Sequence, residues 1–116
     1  MFQIKRIYEP AEPSDGQRVL VDRLWPRGIS KEKAHLDEWL KEIAPSSALR
    51  QWFQHDPAKW IEFQQRYRQE LDQKPALIKE LAKKATIETV TLLYAAADPE
   101  HAHVLVLKEL LCKTYS

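Results

Sequence analysis

One segment, Thr89 to Ala95, constrains the fold of this 116-residue chain more than any other part. Nearly all of its residues are strand formers or apolar. A strand of that composition is typical of the centre of a parallel sheet, where both faces are buried. Long helical sequence separates it from the strand candidate before it, so we expect those two strands to pair in parallel through a crossover.

Two further strands are predicted near the start of the chain. Phe2 to Ile7 alternates apolar and polar residues, and the apolar run from Val19 to Leu24 ends at Trp25-Pro26. Together with the helical middle, they predict an α/β fold with residues 1–116 in a single small domain. We expect a short, mostly parallel sheet flanked by about five helices, in a Rossmann-like arrangement of two or three layers.

Helical periodicity and capping signals fill the rest of the chain. Asp followed by Pro, which occurs twice, is typical of an N-cap with proline at the first helical position. We expect the last helix to run to about Cys112, with that thiol buried. The first predicted helix has an apolar face of Leu36, Trp39, Leu40 and Ile43. The other four predicted helices begin at Ser46, at Asp56-Pro57, at Lys74-Pro75 and at Asp98-Pro99.

Composition indicates a soluble globular protein, with 44% hydrophobic and 30% charged residues. The formal net charge is +1, so overall charge predicts neither a nucleic-acid nor a membrane partner. The sequence has no signal-peptide pattern and no apolar stretch long enough for a membrane span. A single cysteine suits a reducing compartment, and we expect a cytoplasmic protein.

The candidate site lies where the predicted strands end. Ligands of open parallel sheets bind beyond the carboxyl ends of the strands, and a parallel sheet brings those ends to one rim. Arginine there offers a two-pronged fork for phosphate or carboxylate. The predicted ligand-binding residues are Arg6, Tyr8, Arg23, Trp25, Arg27 and Tyr94, and the predicted catalytic residues are Asp22 and His101.

Six of these residues are assigned a role, and some have a structural alternative, as Asp22 does as a turn or pairing residue. Arg23 and Arg27 are expected to clamp an anion, Trp25 and Tyr94 to form walls, and Asp22 to orient an arginine. The alternative for Arg23 is a pair with Asp22 or with a helix glutamate, and for Trp25 it is simple core packing.

His101 is expected in the first turn of the helix that Asp98-Pro99 opens, where the helix dipole keeps an imidazole neutral. There it is a hydrogen-bond donor or general base, or a residue that only caps or packs. His101 and His103 are about 200° apart on a helix, so they cannot share a metal ion. We therefore predict no metal site and no cofactor. Two glycines are also too few for a dinucleotide fingerprint.

With these pieces in place, the chain resembles the YeaO-like branch of the family of domain of unknown function 488. The resemblance runs nearly end to end and includes Lys5-Arg6-Ile7-Tyr8, Val21-Asp22-Arg23-Leu24-Trp25-Pro26-Arg27-Gly28 and Leu92-Leu93-Tyr94-Ala95-Ala96. It implies a small, bacterial, cytosolic α/β protein and assigns no reaction. Similar members tend to carry lysine at the position of Ala97 and asparagine at that of Ala102, so the chain departs from them at the candidate site.

Two classes of function follow from these observations. The leading hypothesis is an anion-accepting pocket at the strand ends that binds a phosphorylated or carboxylated small molecule, with or without catalysis. The alternative is a non-catalytic interaction module for nucleic acid or protein, or a structural homodimer. We favour the small anionic partner over nucleic acid, and the oligomeric state stays open between monomer and homodimer.

Overall fold

A four-stranded parallel sheet forms the centre of the fold. The computed structural model describes residues 1–115, and within them the strands lie in the order β1-β4-β2-β3. The inner strand β4 pairs with β1 on one side and β2 on the other, which confirms the predicted parallel pairing. The strands are β1 (Phe2–Arg6), β2 (Gln17–Leu20), β3 (Glu38–Trp39) and β4 (Val90–Tyr94).

Five α-helices surround this sheet in the described residues, so the predicted α/β class is confirmed. Three short 3-10 turns, at Pro13–Asp15, Lys41–Ile43 and Pro57–Lys59, complete the regular structure. None of the helices described is long and apolar enough to cross a membrane. The helices are α1 (Lys31–Ala34), α2 (Ser47–Phe53), α3 (Trp60–Asp72), α4 (Pro75–Ile87) and α5 (His103–Tyr115).

The two faces of the sheet are covered unequally. The alternation of side chains along β4 sends Leu92 into a large core shared with α2 to α5, and Leu93 into a smaller cluster with Ala34 of α1. Trp25 and Trp39 pack against that smaller cluster, with ring centroids 5.4 Å apart in an edge-on arrangement. The strand ends therefore lie between a thick helical layer and a thin one.

The prediction of a helix with Leu36, Trp39, Leu40 and Ile43 on one face is wrong. This segment forms β3 and a 3-10 turn, and the N–H of Leu40 donates to the carbonyl oxygen of Leu20 at 2.9 Å. The helical spacing of the apolar residues is equally met by a short edge strand followed by a tight turn. The backbone groups along the outer side of β2 need a partner, and pairing with this segment supplies one.

Two expectations about the last helix are also wrong. It begins at His103 rather than at Pro99, because the Asp98 carboxylate caps a tight turn by accepting the N–H of Glu100 at 3.0 Å. Cys112 is exposed rather than buried. The inward face of α5 passes through Leu107 and Leu111, so the next residue points outward.

A buried polar network, not predicted as such from sequence, joins β1 to β2 on the thin-layer face. Asp15 is only 1% exposed, and its carboxylate binds Lys5 Nζ at 3.0 Å and Arg18 NH1 at 2.5 Å. Gly16 follows with φ +62, and a Cβ there would lie 2.1 Å from the carbonyl oxygen of Thr89. Only glycine fits this approach of two backbones.

Candidate functional site at the carboxyl edge of the sheet

The carboxyl ends of β1, β2 and β4 meet at one edge, as the sequence predicts. Backbone pairing continues past the strands, because Ile7 donates to Tyr94 at 2.8 Å and Val21 donates to Leu93 at 3.1 Å. The segments that follow, beginning at Tyr8, Asp22 and Ala95, therefore start side by side. We call this region the carboxyl edge.

Asp22 is the most unusual polar side chain of the carboxyl edge. Its Oδ2 accepts the backbone N–H of Ala95 at 3.0 Å, which ties the end of β2 to the end of β4. Its Oδ1 is buried and has no hydrogen-bond partner within the described residues. A buried acceptor without a donor is rare in native structures, because leaving it unpaired costs free energy.

His103, the first residue of α5, stands next to that carboxylate. Its Nε2 lies 2.9 Å from the carbonyl oxygen of Val21 and 3.4 Å from Asp22 Oδ1. Since a carbonyl can only accept, Nε2 carries a proton and donates it to Val21. The ring also packs edge-on against Tyr67, whose hydroxyl donates to the carbonyl of Ile43 at 2.7 Å.

Burial shifts the pKa of both members of this pair in the direction that favours the neutral form. Burial raises the pKa of Asp22, and His103, the N–H of Ala95, Arg50 and His55 oppose the rise. Burial lowers the pKa of His103, and the Asp22 carboxylate opposes this decrease. Each group thus limits the shift of the other.

Arg50 carries a positive charge that acts on the pair, and His55 is a second neighbouring group. Both are exposed, Arg50 on α2 and His55 just beyond its end with φ +55. The Arg50 guanidinium has no hydrogen bond or ion pair to any of the described residues, although its charge acts on Asp22 and on His103. An arginine without a partner at such an edge can bind an anionic group.

Two of the predicted ligand arginines bind backbone carbonyls instead of an open pocket. Arg23 donates from Nε to Pro45 and from NH2 to Ala44, both at 3.0 Å. Arg6 donates from Nε to Ala96 and from Nη2 to Ala95, two of the three alanines that follow β4, again at 3.0 Å. Both lie at the carboxyl edge, where they hold its loops in place.

Among the predicted aromatic walls, Tyr94 and Trp25 belong largely to the protein interior. Tyr94 is 4% exposed and lies in the large core, and its pKa is raised by burial. Trp25 is half-buried, and its Nε1 donates to the carbonyl of Ile29 at 2.9 Å. Its bond to Ile29 closes the turn that contains Arg27.

Tyr8 and Arg27 lie together at the β1 side of the edge. The Tyr8 hydroxyl donates to the carbonyl oxygen of Arg27 at 2.7 Å, and the Arg6 guanidinium lies 4.9 Å from the centre of the Tyr8 ring. The Arg27 side chain is exposed and has no partner in the part of the chain that the structure describes.

His101 lies outside the helix, so the expected effect of the helix dipole on it does not apply. Its Nδ1 is 2.7 Å from Asp98 Oδ2, and its ring packs edge-on against Trp60 with centroids 5.5 Å apart. The hydrogen bond to His101 is the main cause that lowers the pKa of Asp98.

His101 and His103 are not on one helix, so the 200° argument against a shared metal does not apply either. Residues 1–115 nonetheless hold no group of three or more His, Cys, Asp or Glu side chains that could bind a metal ion.

Sequence reasoning missed His103, Arg50 and His55 as site residues. A histidine just before the apolar run Val104 to Leu107 is a signal of a buried imidazole, because polar groups in such a place need a partner. The partner, at Val21 and Asp22, is about 80 residues away in sequence. Nothing in the sequence distinguishes Arg50 from the other surface arginines.

The fold and the carboxyl edge define a small α/β protein with a parallel sheet and a polar, partly buried site at the ends of its strands. Comparison with known families identifies it further: the chain belongs to the inactive DUF488-N3 subclade, whose pattern matches residues 1–116. The predicted membership of the DUF488 family is confirmed.

The chain is similar along nearly its whole length to three curated relatives described as uncharacterized proteins. YeaO of Escherichia coli is 49% identical over 110 residues, which cover 95% of this chain and 96% of YeaO. Rv3073c of Mycobacterium tuberculosis and Mb3100c of Mycobacterium bovis are each 43% identical over 109 residues, 94% of this chain and 92% of theirs. No solved structure matches the chain significantly.

Proposed function

We propose that this protein binds a small phosphorylated or carboxylated molecule at the carboxyl edge and does not convert it chemically. The observation that carries the proposal is Asp22 Oδ1, a buried acceptor with no donor in the described residues; the charge of Arg50, an arginine without a partner there, also acts on this carboxylate. A ligand that has both a hydrogen-bond donor and an anionic group fits both features.

The acceptor side of the site calls for a hydroxyl or amine on the ligand. Asp22 Oδ2 is already held by the N–H of Ala95, so the carboxylate is fixed in orientation before a ligand arrives. Oδ1 is the carboxylate oxygen without a donor, and because it is buried, a ligand must displace what covers it to reach it. A fixed acceptor gains affinity, because little ordering entropy is lost on binding.

The cationic side of the site calls for a phosphate or carboxylate. Arg50 and His55 are both exposed, and the Arg50 charge acts on Asp22. Guanidinium binds phosphate and carboxylate with two parallel hydrogen bonds. An anionic group placed against Arg50 keeps clear of the Asp22 charge while a hydroxyl of the same ligand donates to it.

Binding without turnover is supported by the chemistry at the edge and by the family, which is described as inactive. The His103 Nε2 proton is donated to the Val21 carbonyl, so this nitrogen is not available as a base. In residues 1–113, no serine, threonine or cysteine side chain is bonded to His101 or His103, which leaves no activated nucleophile of that kind.

A cytoplasmic setting is part of the proposal. The one cysteine, Cys112, is a free and exposed thiol, which is typical of proteins kept in a reducing compartment. Fractionation of a bacterium that carries the gene tests this; recovery with the periplasmic or secreted proteins would contradict it.

The test is thermal unfolding in the presence of glucose 6-phosphate and malate, with glucose as the uncharged analogue. A ligand at 100 times its Kd adds about 2.7 kcal/mol, which raises the Tm of a domain of this size by about 10 °C. We expect a charged probe to raise the Tm, glucose to leave it unchanged, and Arg50→Ala to abolish the rise. Lys79→Ala, an exposed lysine of α4, is the matched control and should keep it.

Three results would overturn the proposal. No rise with any charged probe, or the same rise in Arg50→Ala as in the unmodified protein, removes the binding site. Release of phosphate from glucose 6-phosphate, followed by phosphorus NMR over a day, contradicts the absence of turnover.

A further inference from the structure

A groove lies on the β1 side of the sheet, apart from Asp22 and His103. It has a volume of about 410 Å³ and lies between the loop that follows β1 and the turn that follows β2, with α1 at its end. This volume is in the range of small-molecule sites. Its principal lining residues are Tyr8, Pro10, Ala11, Gly28, Ile29 and Lys33.

The walls of the groove are held in place before any ligand binds. Tyr8 is fixed at its hydroxyl by the Arg27 carbonyl and at its ring by the Arg6 guanidinium. On the opposite wall, the carbonyl of Ile29 accepts the Trp25 Nε1–H. Preformed walls reduce the entropy that binding costs.

Gly28 shows that the space between these walls is open. Its φ of +79 suits glycine, and a Cβ built on it would meet no atom within 4 Å. The contrast is with Gly16, where a Cβ would collide with the backbone of Thr89. Gly28 therefore leaves its backbone accessible to a ligand in the groove.

One cation, Lys33, lines the groove, and it is not paired with the one carboxylate there. Lys33 Nζ and the His35 ring have no hydrogen-bond or ion-pair partner within the described residues, and both side chains are exposed. The one carboxylate that lines the groove, Glu9, instead accepts the backbone N–H of Arg6 at 2.7 Å. The floor is apolar, formed by the buried Ile7 with Ile29.

We propose that this groove binds a small monocarboxylate with an aromatic or branched apolar body. The apolar body lies between the Tyr8 ring and Ile29, and the carboxylate pairs with Lys33. An apolar floor with one cation at the rim fits such a ligand better than a bare phosphate, which would leave the floor uncovered.

The test compares benzoate with benzamide, which has the same shape and no charge, by saturation-transfer NMR and calorimetric titration. We expect benzoate to bind with a Kd at least tenfold below that of benzamide. Lys33→Glu should weaken benzoate at least tenfold, whereas Lys31→Glu, which does not line the groove, should keep the unmodified Kd. Ala11→Phe should block both probes by filling the groove.

Other outcomes overturn the inference. Equal Kd values for benzoate and benzamide, binding of inorganic phosphate but not of benzoate, or an unchanged Kd in Lys33→Glu each exclude the groove as a carboxylate site. Arg50→Ala separates this inference from the proposed function, because it should leave benzoate binding intact even where it abolishes the response to glucose 6-phosphate.

Discussion

The Asp22 carboxylate binds the backbone N–H of Ala95, a residue 73 positions later, and so joins the ends of two neighbouring strands. The same carboxylate faces the imidazole of His103 across 3.4 Å. One short side chain therefore fixes the geometry of the carboxyl edge from the β2 side, and it is the natural starting point for mutation.

Asp22→Ala should lower the free energy of unfolding by about 1–3 kcal/mol, because it leaves the Ala95 N–H without an acceptor. Asp22→Asn keeps an oxygen for that N–H and should cost less than about 1 kcal/mol. Urea denaturation followed by tryptophan fluorescence measures both. An alanine variant as stable as the unmodified protein would show that the bond contributes nothing.

Stability should fall as pH drops below about 6.5, the ordinary pKa of histidine. Burial lowers the pKa of His103 despite the opposing Asp22 carboxylate, with Arg50 and His55 as further charged neighbours. The unfolded chain then binds a proton that the folded chain does not, so acid favours unfolding. The raised pKa of Asp22 acts oppositely, because ionisation of Asp22 destabilises the folded state as pH rises.

Comparison of His103→Gln with His35→Gln separates the contribution of His103 to the acid loss of stability from that of other groups. Urea denaturation at pH 5 and pH 7 should show the acid loss reduced in the first and retained in the second, whose histidine is exposed. An acid loss of equal size in both would assign it to groups other than His103.

Arg23→Ala should destabilise the fold by about 1–3 kcal/mol, because the carbonyls of Ala44 and Pro45 lose their donors. Arg23→Lys should recover only part of this, since an ammonium cannot reproduce the planar fork. The thermal response to glucose 6-phosphate should survive in both. A folded Arg23→Ala protein that no longer responds would support the prediction that Arg23 clamps an anion.

The two glycines should respond very differently to alanine. Gly16→Ala should cost more than about 3 kcal/mol, because the new Cβ would overlap the carbonyl of Thr89 in addition to the strain at positive φ. Gly28→Ala carries only the strain and should cost about 1 kcal/mol. Thermal unfolding of both proteins checks the order, and equal losses would contradict it.

Much of the fold could be predicted because local sequence signals and tertiary structure agree. The Ser46 cap, the Asp56-Pro57 start of the 3-10 turn that leads into α3, and the buried β4 each rest on a few adjacent residues. At Asp98 the same signal misled, because the carboxylate can cap a turn as well as a helix. Around Leu40 the helical spacing of apolar residues misled, because pairing with β2 satisfies the backbone hydrogen-bonding groups instead.

The candidate site was less accessible to sequence reasoning. The convergence of strand ends follows from topology and could be predicted, and Asp22 was named on that basis. Which arginines already donate to backbone carbonyls could not be predicted, since the carbonyls that Arg23 binds belong to a turn 21 and 22 residues away. The His103 contact with Val21 spans 82 residues, a separation at which spacing carries no information.

The pairing of β1 with β4 has a consequence for synthesis on the ribosome. Phe2 to Arg6 pair with Val90 to Tyr94, so the first strand made has no partner until more than three-quarters of the chain has been translated. Pairings of such high sequence separation form slowly, and unpaired strands are prone to aggregate. The β1 edge of the sheet therefore cannot form before β4 has been synthesised, whereas β2 and β3 can pair much earlier.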